Sequence, residues 1–478
     1  MKDYITVIGG GLAGTEAAYQ IAKRGIKVRL YEMKPVKFTE AHSNKDLAEI
    51  VCSNSFKSNL ITNACGLLKE ELRKLDSLLI KVADKTQVPA GQALAVDREK
   101  FARLVTEEIE KNPLIEIIHE EVENLSDEKE INANDGIVII ATGPLTSEKL
   151  SKEISKITGE DKLYFYDAAA PIVSKDSINF SIAFYGNRYE QEKKKEESLE
   201  EWKERIENQN MQEKSYINLP MNQEEYENFC NELVQAEVVT LHEFEKREIF
   251  EGCMPVEVMA KRGLDTLRFG PLKPVGFDDP RTGKRPYAVV QLRQDNEEGT
   301  IYNIVGFQTN LKFGEQKRVF SMIPGLENAE FVKYGVMHRN TYINSTKLLD
   351  ETYQLKSNNN IYFAGQITGV EGYVESISSG MVAALNAVKQ FEKMSGKISK
   401  KINSDIEEKN LKNDKIVFSN YTMIGALAKY ISTENYKFQP MNANFGILPE
   451  LEGKKIKDKK LRYERLAQRS LEEFKKYY

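Results

Sequence analysis

Residues 4–34, YITVIGGGLAGTEAAYQIAKRGIKVRLYEMK, constrain this chain more than any other stretch. Tyr4–Ile8 is a short β-branched run of the kind that forms a buried parallel strand. Gly9-Gly10-Gly11-Leu12-Ala13-Gly14 follows at once and fits G-x-G-x-x-G. Thr15–Lys23 has a helical pattern, Gly25 ends it, and Ile26–Tyr31 is a second strand with Glu32 at its end. Each part has a physical reason. Gly9 allows the tight turn, Gly11 lets backbone approach a pyrophosphate, and Gly14 lets the helix pack closely on the strand. The helix N-terminus presents unpaired N–H groups and a positive dipole end to the phosphates. Glu32, 18 residues after Gly14, suits ribose hydroxyls and repels a 2′-phosphate. Glycines alone are a weak signal; strand, turn, helix, strand and acid in this order are a strong one. The expectation is a Rossmann-type α/β unit that cradles a dinucleotide through Gly9, Gly10, Gly11, Leu12, Ala13, Gly14 and Glu32.

Two later stretches decide which dinucleotide. DGIVIIATGPLTS (135–147) is a strand that ends in a turn carrying Gly143. NNIYFAGQITGVEGYVESISSGMVAALNAV (359–388) is a strand, a glycine turn and a helix. Both resemble the segments that return to the cofactor in two-dinucleotide-type flavoproteins, which implies FAD. Many such proteins have Gly-Asp where this chain has Gly365-Gln366, a departure that narrows the family. Asp97 reads as the N-cap of a helix that begins at Arg98, and the family resemblance below places Arg98 near the cofactor. Tyr373 is a candidate for stacking on flavin or on folate, with a core tyrosine as the plain alternative.

Charge and cysteine usage exclude several classes. Net charge is −5, so the whole chain does not advertise nucleic-acid binding. The distribution is uneven: 187–252 holds 18 acids and 9 bases, 253–320 holds 11 bases and 8 acids, and 451–478 holds 10 bases and 5 acids. Such basic segments can hold phosphate on an acidic protein, although most charge runs are solvated faces. No secretion signal opens the sequence and no apolar run reaches membrane-spanning length, so a cytoplasmic protein off the membrane is expected. Cys52, Cys65, Cys230 and Cys253 form no CxxC, and four scattered histidines complete no metal pattern, so neither disulfides nor a metal are expected. Cys65 and Cys230 sit in helical, apolar surroundings and read as structural. Cys52 lies in the polar run VCSNSFKSN, where Lys57 is a candidate for lowering its pKa. Cys253 lies in FEGCMPVEVMAKRG, before the basic pair Lys261-Arg262.

VIGGGLAGTEAA, VCSNSFKSN, GQALAVDREKF, FEGCMPVEVMAKRG, FGPLKPVGFDDPRTGKRPYAVVQLRQDN, YNIVGFQTNLKFGEQKRVF and FAGQITGVEGYVESISSG together resemble the folate- and FAD-dependent tRNA uracil-5-methyltransferases, the TrmFO family. The resemblance runs to about residue 450, interrupted by the acidic stretch near 186–215. The GidA-type tRNA-modifying flavoproteins are the nearest relatives, with a longer C-terminal helical region. The resemblance implies transfer of a methylene from methylenetetrahydrofolate to C5 of a uridine, with FAD as electron donor and NADH or NADPH to refill it. It makes Cys253 the nucleophile and Cys52 the second functional cysteine. It favours the T-loop uridine (U54) of tRNA, with a ribosomal RNA uridine as the alternative. A basic surface of Lys261, Arg262, Lys273, Arg281, Lys284, Arg285 and Arg293 is expected to hold the RNA. A plain NAD(P)H-dependent flavin oxidoreductase is the alternative from another class, but no second G-x-G-x-x-G is found. A flavin-dependent RNA-binding or assembly protein without methyl transfer is the third reading.

The domain expectation follows. Residues 1–165 and 331–395 form the FAD-binding domain, 166–330 an inserted α+β domain, and 396–478 a helical C-terminal extension. The acidic stretch reads as a solvated helix or disordered excursion without a catalytic role. The basic tail reads as an amphipathic helix that packs on the FAD domain or touches RNA.

Overall fold

The structure is a computed structural model. It describes residues 2–39, 41–125, 131, 136–160, 163–190, 192–207, 216–239, 254–396, 411–412, 415–436, 438–453 and 456–477, with backbone alone for 163–167, 337–339 and 411–412. Cys253 therefore lies outside the described residues.

A five-stranded sheet organises the first domain, in the order Ile361–Phe363, Val138–Ile140, Tyr4–Ile8, Lys27–Tyr31, Ile115–Ile118, with every pair parallel. The strands Ile361–Phe363, Val138–Ile140 and Tyr4–Ile8 are apolar and largely buried, as a sheet covered on both faces requires. The helix Leu12–Lys23 leaves the first strand, and the 23-residue helix Tyr373–Ser395 packs along it. That approach is close: a Cβ on Gly380 would stand 2.3 Å from the carbonyl oxygen of Ala13. Any larger residue there would force the helices apart.

The chain leaves this domain along Leu163–Ala168 and returns along Met337–Tyr342, two antiparallel strands paired side by side. Between them lies a six-stranded antiparallel sheet in the order 184–185, 216–221, 288–294, 301–304, 172–174, 331–333. Its own core contains Ile217, Leu219, Phe229, Leu292, Phe307 and Phe320. The last strand, 331–333, belongs to this sheet, so the inserted unit reaches a few residues beyond 330.

The acidic excursion is anchored more firmly than its composition suggests. Leu199–Glu207 is a helix, and Trp202 on it is fully buried. Glu192 pairs with Arg285, and the Lys193 amide donates to Asp278. The one tryptophan of the chain, with buried Ile206 four residues on, thus pins a segment dominated by charge.

The C-terminal helix Lys459–Phe474 packs on the first domain through Leu466, Ala467 and Phe474, all in the main core. Buried Glu71 ties the extension down. Its carboxylate accepts the amides of Met423 and Ile424 at a helix N-terminus and the hydroxyl of Ser470. No helix among the described residues is long and apolar enough to cross a membrane.

Candidate active site

The dinucleotide turn has the geometry its sequence requires. Gly9 has φ +101°, and a Cβ there would meet the Ala141 carbonyl oxygen at 2.5 Å. A Cβ on Gly14 would lie 1.8 Å from the Gly9 oxygen. Gly11 is different: a Cβ there would find no atom within 4 Å, because the position faces the cavity. No side chain caps the helix that begins at Leu12, so its N-terminal amides remain for an anion. Glu32 is 8% exposed and accepts the amides of Gly10 (2.8 Å) and Lys34 (2.9 Å), which fixes its carboxylate at the strand end. These residues fit FAD: an open approach at Gly11, uncapped amides and a positioned acid.

The cavity these residues open onto has a volume of about 450 Å³. Gly9, Gly10, Gly11, Leu12, Ala13, Glu32, Gly143, Gly365, Gln366 and Tyr373 all line it. Gly143 (φ +64°) and Gly365 (φ +81°) occupy the left-handed region that favours glycine. The Gly365 amide donates to Ser379 Oγ, and Gln366 Nε2 donates to Glu371. Gly14 supports from behind. The long helix beginning at Tyr373 also has no side-chain cap, so a second helix N-terminus borders the same space.

Cys52 is in this cavity, half-buried. Its loop is held by the tyrosine: the backbone amides of Cys52 and Ser53 both donate to Tyr373 Oη, each at 3.0 Å. Burial, and then the neighbouring Cys52 sulfur, push the Tyr373 phenol upward, so it stays protonated. The Cys52 thiol lies 3.6 Å from the Ala168 carbonyl oxygen, at the start of the inserted unit. Lys57, expected beside this thiol, has its ammonium 3.6 Å from the buried Glu375 carboxylate.

Two arginines have other surroundings than the sequence suggested. Arg293 is no part of an exposed basic patch: it is 8% exposed and lines the cavity. It donates to Asn54 Oδ1 (2.9 Å) and Ser53 Oγ (2.7 Å), because it sits on a sheet strand that runs under the Cys52 loop. Arg98 does not line the cavity. It makes a two-pronged pair with Asp295 (2.7 and 3.0 Å) and donates to the Ile50 carbonyl at 3.1 Å, bracing the loop from behind. Asp97 caps its helix as expected, through the Lys100 amide, and also accepts the Glu297 amide.

The remaining basic residues are on the surface. Lys261, Arg262, Lys273, Arg281, Lys284 and Arg285 are exposed. Arg281 is paired with Asp279 and Arg285 with Glu192, so the acidic excursion neutralises part of the patch. Cys65 and Cys230 are buried, and burial pushes the Cys65 thiol up to about 11. Among the described residues no cluster of His, Cys, Asp and Glu could hold a metal. Sequence reasoning missed Ser53, Asn54 and Gln308 as parts of the site. The polar run after Cys52 was the available signal for the first two; Gln308 had none.

The Glucose inhibited division protein A family matches residues 4–395. A protein of Acetivibrio thermocellus named methylenetetrahydrofolate--tRNA-(uracil-5-)-methyltransferase TrmFO is 57% identical over 478 residues, 100% of this chain and 99% of that one. A protein of the same name from Halalkalibacterium halodurans is 54% identical over 99% of this chain and 98% of its own. Among solved structures, Aquifex aeolicus GidA (form II crystal) has a TM-score of 0.63 at 16% identity, covering 98% of this chain and 72% of that one, which is a likeness of fold. With a dinucleotide cradle, a tyrosine-held cysteine and this full-length similarity together, the chain belongs to the Glucose inhibited division protein A family and, within it, to the TrmFO group.

Proposed function

We propose that this protein methylates C5 of a uridine in tRNA, taking the carbon from methylenetetrahydrofolate and electrons from FAD. The observation that carries the reading is the position of Cys52. It is a half-buried thiol between the dinucleotide cradle and the inserted unit, on a loop held by Tyr373 from one side and Arg293 from the other.

C5 of uracil is a weak nucleophile. A thiolate that adds to C6 makes C5 an enolate carbon able to attack an electrophilic methylene. The C5–CH₂ bond forms as one of the carbon's two bonds to folate nitrogen breaks. A base then removes the C5 proton as the second folate nitrogen leaves, which gives an exocyclic methylene with the thiolate still on C6. Hydride delivery to that methylene completes the methyl group and expels the thiolate from C6. When bound, reduced flavin supplies that electron pair, and NADH or NADPH is the reductant that restores it. Cys253, by its match to the family motif, is the thiolate that adds to C6. Cys52, facing the cofactor cavity, serves as the second functional cysteine. Arg98 acts at one remove from the cofactor cavity, by bracing the Cys52 loop from behind. The T-loop uridine U54 is the favoured target, and a ribosomal RNA uridine is the alternative.

The test is label transfer. Purified protein with FAD, NAD(P)H and carbon-labelled methylenetetrahydrofolate should place label in 5-methyluridine of tRNA. Nucleoside mass spectrometry of tRNA and rRNA from a deletion strain identifies the RNA. Labelling from S-adenosylmethionine without flavin, or loss of the modification from neither RNA, overturns the proposal.

A further inference from the structure

Phe269 is 80% exposed, more than any other aromatic residue of the inserted unit among the described residues, where Tyr189 (62%) and Phe313 (55%) come next. Its exposure is built in. It ends the short helix Thr266–Phe269, whose other side is fixed: Leu267 and Leu272 are fully buried. The Leu272 amide returns to the Leu267 carbonyl. Arg268, beside it, lies 3.6 Å from the centre of the Tyr287 ring, donates to the Tyr287 carbonyl, and pairs with Asp265. A helix held this firmly keeps the backbone of Phe269 in place while its ring faces outward.

The surroundings say what stacks there. Residues 261–273 carry Lys261, Arg262, Arg268 and Lys273 against one acid, Asp265. Lys261, Arg262 and Lys273 are exposed, so a flat apolar face stands in a positive field. The preceding helix, Val256–Lys261, starts at the cavity: the Val256 amide donates to the Gln308 carbonyl at 2.7 Å, and Gln308 lines the cavity. The helices Val256–Lys261 and Thr266–Phe269 thus connect the lining of the cavity to the ring in sequence. An aromatic face among cations is the arrangement that holds an unpaired base while the cations hold phosphates.

We propose that Phe269 is a stacking platform for an unpaired base of the RNA substrate, placed to hold the strand beside the target uridine. This rests on the RNA-methylating reading above. The test uses the FAD-loaded protein and unmodified tRNA, with binding followed by fluorescence anisotropy at several salt concentrations. Phe269→Ala should weaken binding about 5- to 150-fold, the range of one base–aromatic stack. The slope of log affinity against log salt should stay unchanged, because stacking releases no counterions. Lys261→Ala should instead reduce that slope. Phe269→Trp should restore affinity. Since the native chain has one tryptophan, Trp202, and it is buried, RNA should quench the emission added at 269. Wild-type affinity in Phe269→Ala, or unquenched emission in Phe269→Trp with RNA bound, overturns the inference and leaves the methylation reading standing. A concentration-dependent dimer of wild type, lost in Phe269→Ala without RNA, assigns the ring to a second copy and also overturns it. A wild type that neither binds nor methylates tRNA refutes both.

Discussion

Tyr373→Phe deletes one oxygen and leaves the ring, which packs on Phe56 at 5.6 Å between centroids. That oxygen accepts two backbone amides, those of Cys52 and Ser53. A protein hydrogen bond contributes about 0.5–1.5 kcal/mol net, so losing both costs the observed loop conformation about 1–3 kcal/mol. At about 1.4 kcal/mol per tenfold, turnover should fall about 5- to 150-fold if that conformation is the reactive one. The cradle at 9–14 is untouched, so flavin content should stay at the wild-type level. The assay is label transfer into tRNA under single-turnover conditions, beside the flavin-to-protein ratio from absorbance and the alkylation rate of Cys52 by mass spectrometry. The loosened loop should alkylate several-fold faster. Normal turnover with a normal Cys52 alkylation rate would show that the hydroxyl does not hold the loop, and the structural case for Cys52 would lose its main support.

Gly11→Val should fold, because its side chain enters open space, yet purify without yellow colour; an unchanged flavin ratio would move the pyrophosphate elsewhere. Cys253→Ala should abolish methyl transfer in a folded, yellow protein, whereas Cys65→Ala and Cys230→Ala should stay active with lower stability from small cavities; a 5-fluorouridine RNA adduct mapped to Cys52 would reverse the cysteine roles. Burial pushes the Glu71 carboxyl from 4.5 up to about 7, so the folded state favours its neutral form. Its contribution to stability should decline as pH rises from about 4.5 to about 7, by roughly 3 kcal/mol in all. Urea midpoints of Glu71→Gln should lack that component, and pH curves parallel to wild type would refute it.

The first domain was legible because its signals are local. A strand, a glycine turn and a helix occupy consecutive residues, and the positive φ of Gly9 and the contact of Gly14 with the Gly9 oxygen arise within that unit. The Asp97 cap was legible for the same reason. Arg293 was misplaced because its environment depends on contacts 239 and 240 positions away in sequence, at Asn54 and Ser53. A basic residue in a basic segment reads as surface until the loop that covers it is known. The acidic excursion hid its anchor because Leu199, Trp202 and Ile206 are three apolar residues at helical spacing in a run dominated by charge, a pattern the composition masks. Phe269 gave no signal either, since exposure of an aromatic residue is decided by packing and not by sequence pattern.

The Cys52 loop belongs by sequence to the first domain and is clamped by the second. Arg293 holds Ser53 and Asn54, Asn54 returns a bond to the Gln294 carbonyl, and Arg98 reaches across to Asp295. The loop is therefore a physical link between the two halves. By thermodynamic linkage, any factor by which cofactor occupancy changes affinity for a ligand on the inserted unit must equal the factor by which that ligand changes affinity for the cofactor. Order of binding then becomes a measurable property of this clamp: cutting it at Arg293 should bring that factor closer to one, while the Asn54–Gln294 and Arg98–Asp295 links remain.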